Sequence, residues 1–136
     1  MMTVLIVDGQ GGRLGKQLVK EVRERFPQVP LMAVGTNSMA TESMLKAGAD
    51  RAATGENAVV VACRKADIIV GPVGIVIADA LLGEVTPAMA KAVGQSDAVR
   101  ILLPSDKCDT FIAGVGSSGM SALVEDAMDK LASLLK

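Results

Sequence analysis

The chain contains no histidine, no tyrosine and no tryptophan, and its two aromatic residues are Phe26 and Phe111. Without histidine there is no Ser-His triad and no imidazole metal site, and without tyrosine there is no Tyr-Lys proton donor pair. The two cysteines are too few for a thiolate zinc site. Cys63 lies in an apolar run that implies burial, while Cys108, between Lys107 and Asp109, is the more exposed thiol and has no base beside it. Two thiols with no secretory signal fit a reducing cytoplasm better than a disulfide, and Met1-Met2-Thr3 leads into a strand with neither a basic region nor a cleavage site. A cytoplasmic location is therefore expected. No apolar run approaches the roughly 18 residues of a spanning helix, so no membrane is expected. With 14 basic and 15 acidic residues the net charge is −1, which leaves no broad field to draw the chain to nucleic acid.

What is present is aliphatic. Half of the 136 residues are hydrophobic, and eight are methionine, so the core must be built from Val, Ile, Leu, Ala and Met. Such side chains suit helices layered on a sheet. The positive mean hydropathy implies a dense core and an apolar face for a homo-oligomer. The length points to one domain over residues 1–136, which is short for an enzyme with separate cofactor and substrate halves.

Alternation of strand and helix signals runs through the chain. Val4 to Val7 is a β-branched apolar run of the kind buried on both faces of a parallel sheet. Glycines interrupt it, and Leu14, Leu18, Val19, Val22 and Phe26 then repeat at helical spacing. A second strand, Leu31 to Val34, completes a β-α-β unit of about 30 residues, which fixes parallel pairing. Asn37 or Ser38 caps a helix that stops at Gly48. Arg51 to Thr54 reads as a weak third strand, Ala58 to Ala66 as a helix, and Asp67 to Val70 as a fourth strand. Ile75 to Leu82 is too apolar for the surface. Thr86 and Pro87 open a short helix ending at Gly94. Ala98 to Pro104 is a fifth strand, Thr110 to Val115 a candidate sixth, and Gly114 to Gly119 a turn that opens the last helix. There Met120, Leu123, Val124, Ala127, Leu131 and Leu134 form one apolar stripe with Met128 beside it. The expected fold is α/β and three-layered, with a mainly parallel, doubly wound, Rossmann-like sheet of five or six strands.

The chemistry concentrates where strands run into glycines. A strand that feeds a helix through glycines makes an anion site, since helix N-terminal N–H groups and the macrodipole both favour negative charge. Gly9, Gly12 and Gly15 stand at G-x-x-G-x-x-G spacing, with Gly11 inside. The G-x-G-x-x-G pattern fails because its third glycine falls on Leu14. A P-loop fails because Gln10 and Gln17 stand where glycine and Ser or Thr are needed. Gly9, Gln10, Gly11, Gly12, Arg13, Leu14 and Gly15 are accordingly expected to hold a phosphate, with tight strand–helix packing as the competing role of these glycines. About 20 positions on, where an acidic residue usually binds ribose hydroxyls, stand Thr36, Asn37 and Ser38. Neutral residues there do not select NAD, and no Arg or Lys beside them selects NADP. The cofactor stays open between NAD(P) and another nucleotide, and the same three residues can equally serve as a helix cap. A fourth strand beside the first should bring Gly71, Pro72 and Gly74 to the same crevice, with Glu84 and Thr86 at its border. Glu84, in an apolar stretch, needs a partner: a ligand hydroxyl, a base or a helix N-terminus. Asp8 reads as an exposed loop carboxylate or as a ligand for Mg²⁺ or a hydroxyl.

The run from Ile6 to Leu18 is similar to the cofactor turn of dihydrodipicolinate reductase, in which a glycine-rich loop with an Arg lies against a pyrophosphate. The likeness covers about a tenth of the chain, and that enzyme's His-rich substrate motif has no counterpart. Taken together, Ile6 to Gly12, Gly71 to Ile75, Gly83 to Pro87, Ile101 to Pro104 and Ile112 to Val115 resemble a small uncharacterised bacterial family of stand-alone Rossmann-like domains. That resemblance implies the fold and brings no activity. The expected role is binding of a nucleotide-like small molecule. The alternatives are an oxidoreductase whose substrate site a second subunit completes and an interaction module whose glycines are purely structural.

Overall fold

In the computed structural model, which describes residues 1–104, 109–116 and 119–136, strands and helices alternate throughout. Strand β1 (Val4–Asp8) leads through a glycine turn to α1 (Arg13–Arg25). Then come β2 (Leu31–Gly35), α2 (Ser38–Ala47), β3 (Arg51–Thr54), α3 (Glu56–Lys65), β4 (Ile68–Pro72), α4 (Pro87–Gly94), β5 (Val99–Leu103) and α5 (Met120–Leu134). The five strands form one sheet in the order β3-β2-β1-β4-β5, and every pairing is parallel. Val4 stands opposite Leu31 on one side and Ile68 on the other, which makes β1 the central strand.

Centrality explains its composition. Val4 and Ile6 point into a core shared with Leu18, Val19 and Val22 of α1, Met44 of α2 and Val124, Met128 and Leu131 of α5. Leu5 and Val7 point into a second core with Val59 and Cys63 of α3 and Met89 and Val93 of α4. Both faces are covered, so period-two alternation is replaced by an unbroken apolar run. Full burial of each such side chain stabilises by about 1.5–3 kcal/mol, far more than any strand propensity contributes. The edge strand β3 has no such cover and is mostly exposed, which is why its sequence signal is weak. Among the described residues no helix is long and apolar enough to cross a membrane.

Arg23 fastens this arrangement from outside. Its Nε donates to the Gly48 carbonyl at 2.9 Å, its guanidinium also reaches Val29 O at 2.9 Å, and Asp50 lies 2.8 Å away. One side chain of α1 thereby ties the turn that leads into β2 to the turn that leads into β3. Asp50 in turn accepts from the Leu31 N–H at 2.9 Å; that bond, opposed by burial and helped by Arg23, holds its carboxyl below the usual range.

Two expectations change. Thr110 to Val115 is not a sixth strand: the Val115 N–H turns back to the Ile112 carbonyl at 3.3 Å, and Phe111 is 90% exposed. The segment crosses the carboxyl edge of the sheet instead of pairing along β5. In the run Ile75 to Leu82, Ile75 and Leu81 are buried as expected, but Leu82 is wholly exposed. There the chain reverses through left-handed conformations at Asp79, Leu81, Leu82 and Gly83, so neighbouring side chains no longer share a face.

Candidate functional site

Between β1 and β4 the strand order reverses, with α1 leaving on one face and α3 and α4 lying on the other. This is the switch point at which open parallel sheets take ligands. Here β1 ends in Asp8 and the chain turns sharply, the Gly12 N–H bonding the Gly9 carbonyl at 2.9 Å and the Lys16 N–H the Gly12 carbonyl at 2.8 Å. Gly12 caps α1 in the left-handed region, at φ 73, and a Cβ there would lie 2.7 Å from the Ala40 Cα. At Gly15 a Cβ would lie 2.6 Å from Met44 Sδ and 2.8 Å from Asp8 Cβ. These two glycines let α1 start directly against β1 and under α2, so part of the spacing is a packing requirement.

Asp8 is the correction at this turn. It is no exposed loop carboxylate: it is 5% exposed, and its Oδ2 accepts the Gly15 N–H at 2.6 Å. A carboxylate so placed satisfies one of the N–H groups a helix start leaves open and faces the positive end of the α1 dipole. The first residues of the helix, Arg13 and Leu14, remain at the surface of the crevice.

On the β2 side, Glu84 gathers the residues expected near a ribose. Its Oε1 accepts from the Gln10 N–H at 2.8 Å, the Thr36 hydroxyl at 2.7 Å and Asn37 Nδ2 at 2.8 Å. Asn37 Nδ2 also donates to the Gln10 carbonyl at 2.8 Å, while its Oδ1 caps α2 by accepting the Ala40 N–H at 2.9 Å. Burial alone would raise the Glu84 carboxyl; the three hydrogen bonds outweigh it and hold the group below its usual range. Ser38, the first residue of α2, is exposed and outside this cluster. Thr86 caps α4 through the Met89 N–H at 3.2 Å and donates to Glu56 Oε1 at 2.6 Å.

A cleft of about 540 Å³ opens on the other side, over the ends of β1, β4 and β5. Of the residues singled out in the sequence, Gly9, Gln10, Gly11, Gly12, Arg13, Leu14 and Pro72 line it, together with Asp8. Gly15, Gly71, Gly74, Thr36, Asn37, Ser38, Glu84 and Thr86 do not. Gly71 and Gly74 are buried, and a Cβ on Gly71 would collide with the Val7 carbonyl. Sequence reasoning missed the far wall, which comprises Leu103, Phe111, Ile112, Val115, Met120 and Leu123. Its available signal was a phenylalanine just ahead of Gly114 and Gly116 in a chain with two aromatics.

The remaining candidates stand apart. Cys63 is buried against the second core, and desolvation pushes its thiol up to about 11, which leaves it unreactive. Cys108 lies outside the described residues, as do Ser117 and Ser118 of the third glycine turn. Among the described residues no group of three or more His, Cys, Asp or Glu side chains is placed to hold a metal ion.

A five-stranded, all-parallel sheet in this order, with helices on both faces and a glycine turn at its switch point, is an α/β protein of the Rossmann-like class. Within that class the chain belongs to the family described as a domain of unknown function (DUF3842), whose profile matches residues 3–136. No curated protein matches the sequence. Among solved structures, the dodecameric FMN-dependent UbiX-like decarboxylase from Escherichia coli O157:H7 is similar in fold, with 18% identity and a TM-score of 0.49 over 96% of this chain and 76% of that one.

Proposed function

We propose that residues 1–136 act as one domain that binds a small phosphate-bearing ligand of the nucleotide class, with the phosphate at Gly11 to Leu14. The observation that supports this is the cleft of about 540 Å³ at the sheet's carboxyl edge, whose floor is the start of α1. A helix start contributes roughly 0.3–1 kcal/mol toward an anion. The buried Asp8 carboxylate takes up part of that effect. Arg13, exposed at the first position of α1, supplies the larger share, since a hydrogen bond between charged groups is worth about 1.5–3 kcal/mol.

Thermal shift against NAD, NADP, ATP, CoA and flavin tests the reading. Saturation at about a hundred times Kd should stabilise the fold by roughly 2.7 kcal/mol and raise Tm by several degrees. The informative variant is Gly11→Asp, because Gly11 is exposed and a Cβ there meets nothing nearer than Arg13 Cγ at 4.0 Å. It should fold normally and abolish the shift, and Arg13→Ala should weaken binding about tenfold. No shift with any of the five compounds would overturn the proposal. The exposed Phe111 favours a second reading, a homo-oligomer whose partner subunit covers this rim. A monomer by analytical ultracentrifugation at micromolar concentration would remove it.

A further inference from the structure

We infer that the ligand's other end is flat and apolar and extends across β4 and β5 toward Phe111, away from β2. This deepens the phosphate reading and rests on it. Three observations bear on direction. The β2 side is chemically occupied, since Glu84 Oε1 already takes the Gln10 N–H and the Thr36 and Asn37 side chains at 2.7–2.8 Å. A ribose hydroxyl aimed at that oxygen would have to displace charge-assisted bonds of the kind it could itself form, with no gain. That side is also filled: a Cβ at Gly9 would lie 2.5 Å from Thr36 Oγ1 and 2.7 Å from Leu81 Cδ1.

On the β5 side the cleft continues, and among its described lining residues only Asp8 and Arg13, both at the floor, carry charge. Its wall presents Phe111 at 90%, Val115 at 44% and Met120 at 47% exposure. Apolar side chains held open around a concave surface gain most from a ligand that covers them with apolar area. A phosphomonoester with a ring system at its other end satisfies both halves, whereas a dinucleotide laid over β2 leaves the apolar wall uncovered.

Calorimetric titration of the full chain with 1-naphthyl phosphate, ribose 5-phosphate and inorganic phosphate separates the possibilities. The naphthyl ester should bind at least about tenfold tighter than the sugar ester. Phe111→Ser should cost the naphthyl ester about fivefold, while Ser38→Gln, an exposed change at the start of α2, should alter its affinity by less than about twofold. Gly11→Asp should weaken all three. Equal affinity for the two esters, or a loss on Ser38→Gln without one on Phe111→Ser, overturns the apolar end and leaves the phosphate site standing. Indifference to Gly11→Asp, or no binding of any probe, overturns the phosphate site and this inference with it.

Discussion

The two sides of the sheet's carboxyl edge are built on opposite principles. Over β1 and β2 the turns are short: β2 ends at Gly35 and α2 begins at Ser38, so Thr36 and Asn37 are held against Gln10 and Glu84. Over β4 and β5 the connection is long, from Leu103 to Met120, and its described parts cross the strand ends with apolar side chains in the open. The first region pairs its polar side chains internally and buries Gly9, Gly12, Gly15 and Gly35. The second leaves apolar surface uncovered around a cleft. A connection of that length whose described residues form no helix or strand is uncommon in a small domain unless it serves binding. The residues most conspicuous in the chain as a nucleotide signature are thus split between a structural knot and the floor of the cleft.

The turn over β1 and β2 is most sensitive at Gly12. Valine there must enter the left-handed region and meet the Ala40 backbone, 2.7 Å from its Cβ. Left-handed strain of about 1–2 kcal/mol and overpacking of about 1–3 kcal/mol together predict a loss near 4 kcal/mol, read as a fall in the urea midpoint at constant slope. A loss under about 1 kcal/mol would mean that the turn yields enough to relieve the contact with Ala40. Next comes Glu84→Ala, which removes one acceptor from three donors. Because Glu84 is only half-buried and water can replace part of what is lost, about 2 kcal/mol is expected.

Acid tests the same carboxylate by another route. Its pKa is depressed in the folded state, so the knot contributes fully above the ordinary carboxylate value of about 4.3 and loses its contribution as pH falls through the lower folded value. Stability measured between about pH 5 and pH 3 should therefore fall less steeply in Glu84→Gln than in the parent. Other depressed carboxyls, such as Asp50, give both proteins a shared slope, so the difference between the two curves is the quantity to read. Identical curves would remove Glu84 from the acid response.

How much of this was visible in the chain follows from the range of the forces involved. The strands β1, β2 and β4 announce themselves because burial on both faces demands continuous apolar runs, and the Asn37 and Thr86 caps because they act over three residues. The hydrogen bond from Gln10 to Glu84 joins residues 74 apart. No local pattern encodes such a pairing, although the need of Glu84 for a partner was legible from its apolar setting. Asp8 misled for a related reason: its burial depends on Gly15 one turn into α1, and a carboxylate next to glycine reads as a loop. The sixth strand misled because apolar residues at Phe111 and Ile112 look alike whether they face a core or line a cleft.

Phe111 is 90% exposed, so Phe111→Ser removes almost no buried area and should leave stability within about 0.5 kcal/mol of the parent. The same substitution should lower the fluorescence of 8-anilinonaphthalene sulfonate added to the folded protein, because that probe reports exposed apolar surface in a concavity. Glu84→Gln, on the other side of the edge, should leave this fluorescence unchanged while costing about 1 kcal/mol of stability. The two variants then dissociate the properties: one side of the edge carries stability without apolar exposure, and the other carries apolar exposure without stability. If Phe111→Ser instead lowered Tm by more than a few degrees, the far wall would belong to the packed fold and the cleft would not be a surface held open for a ligand.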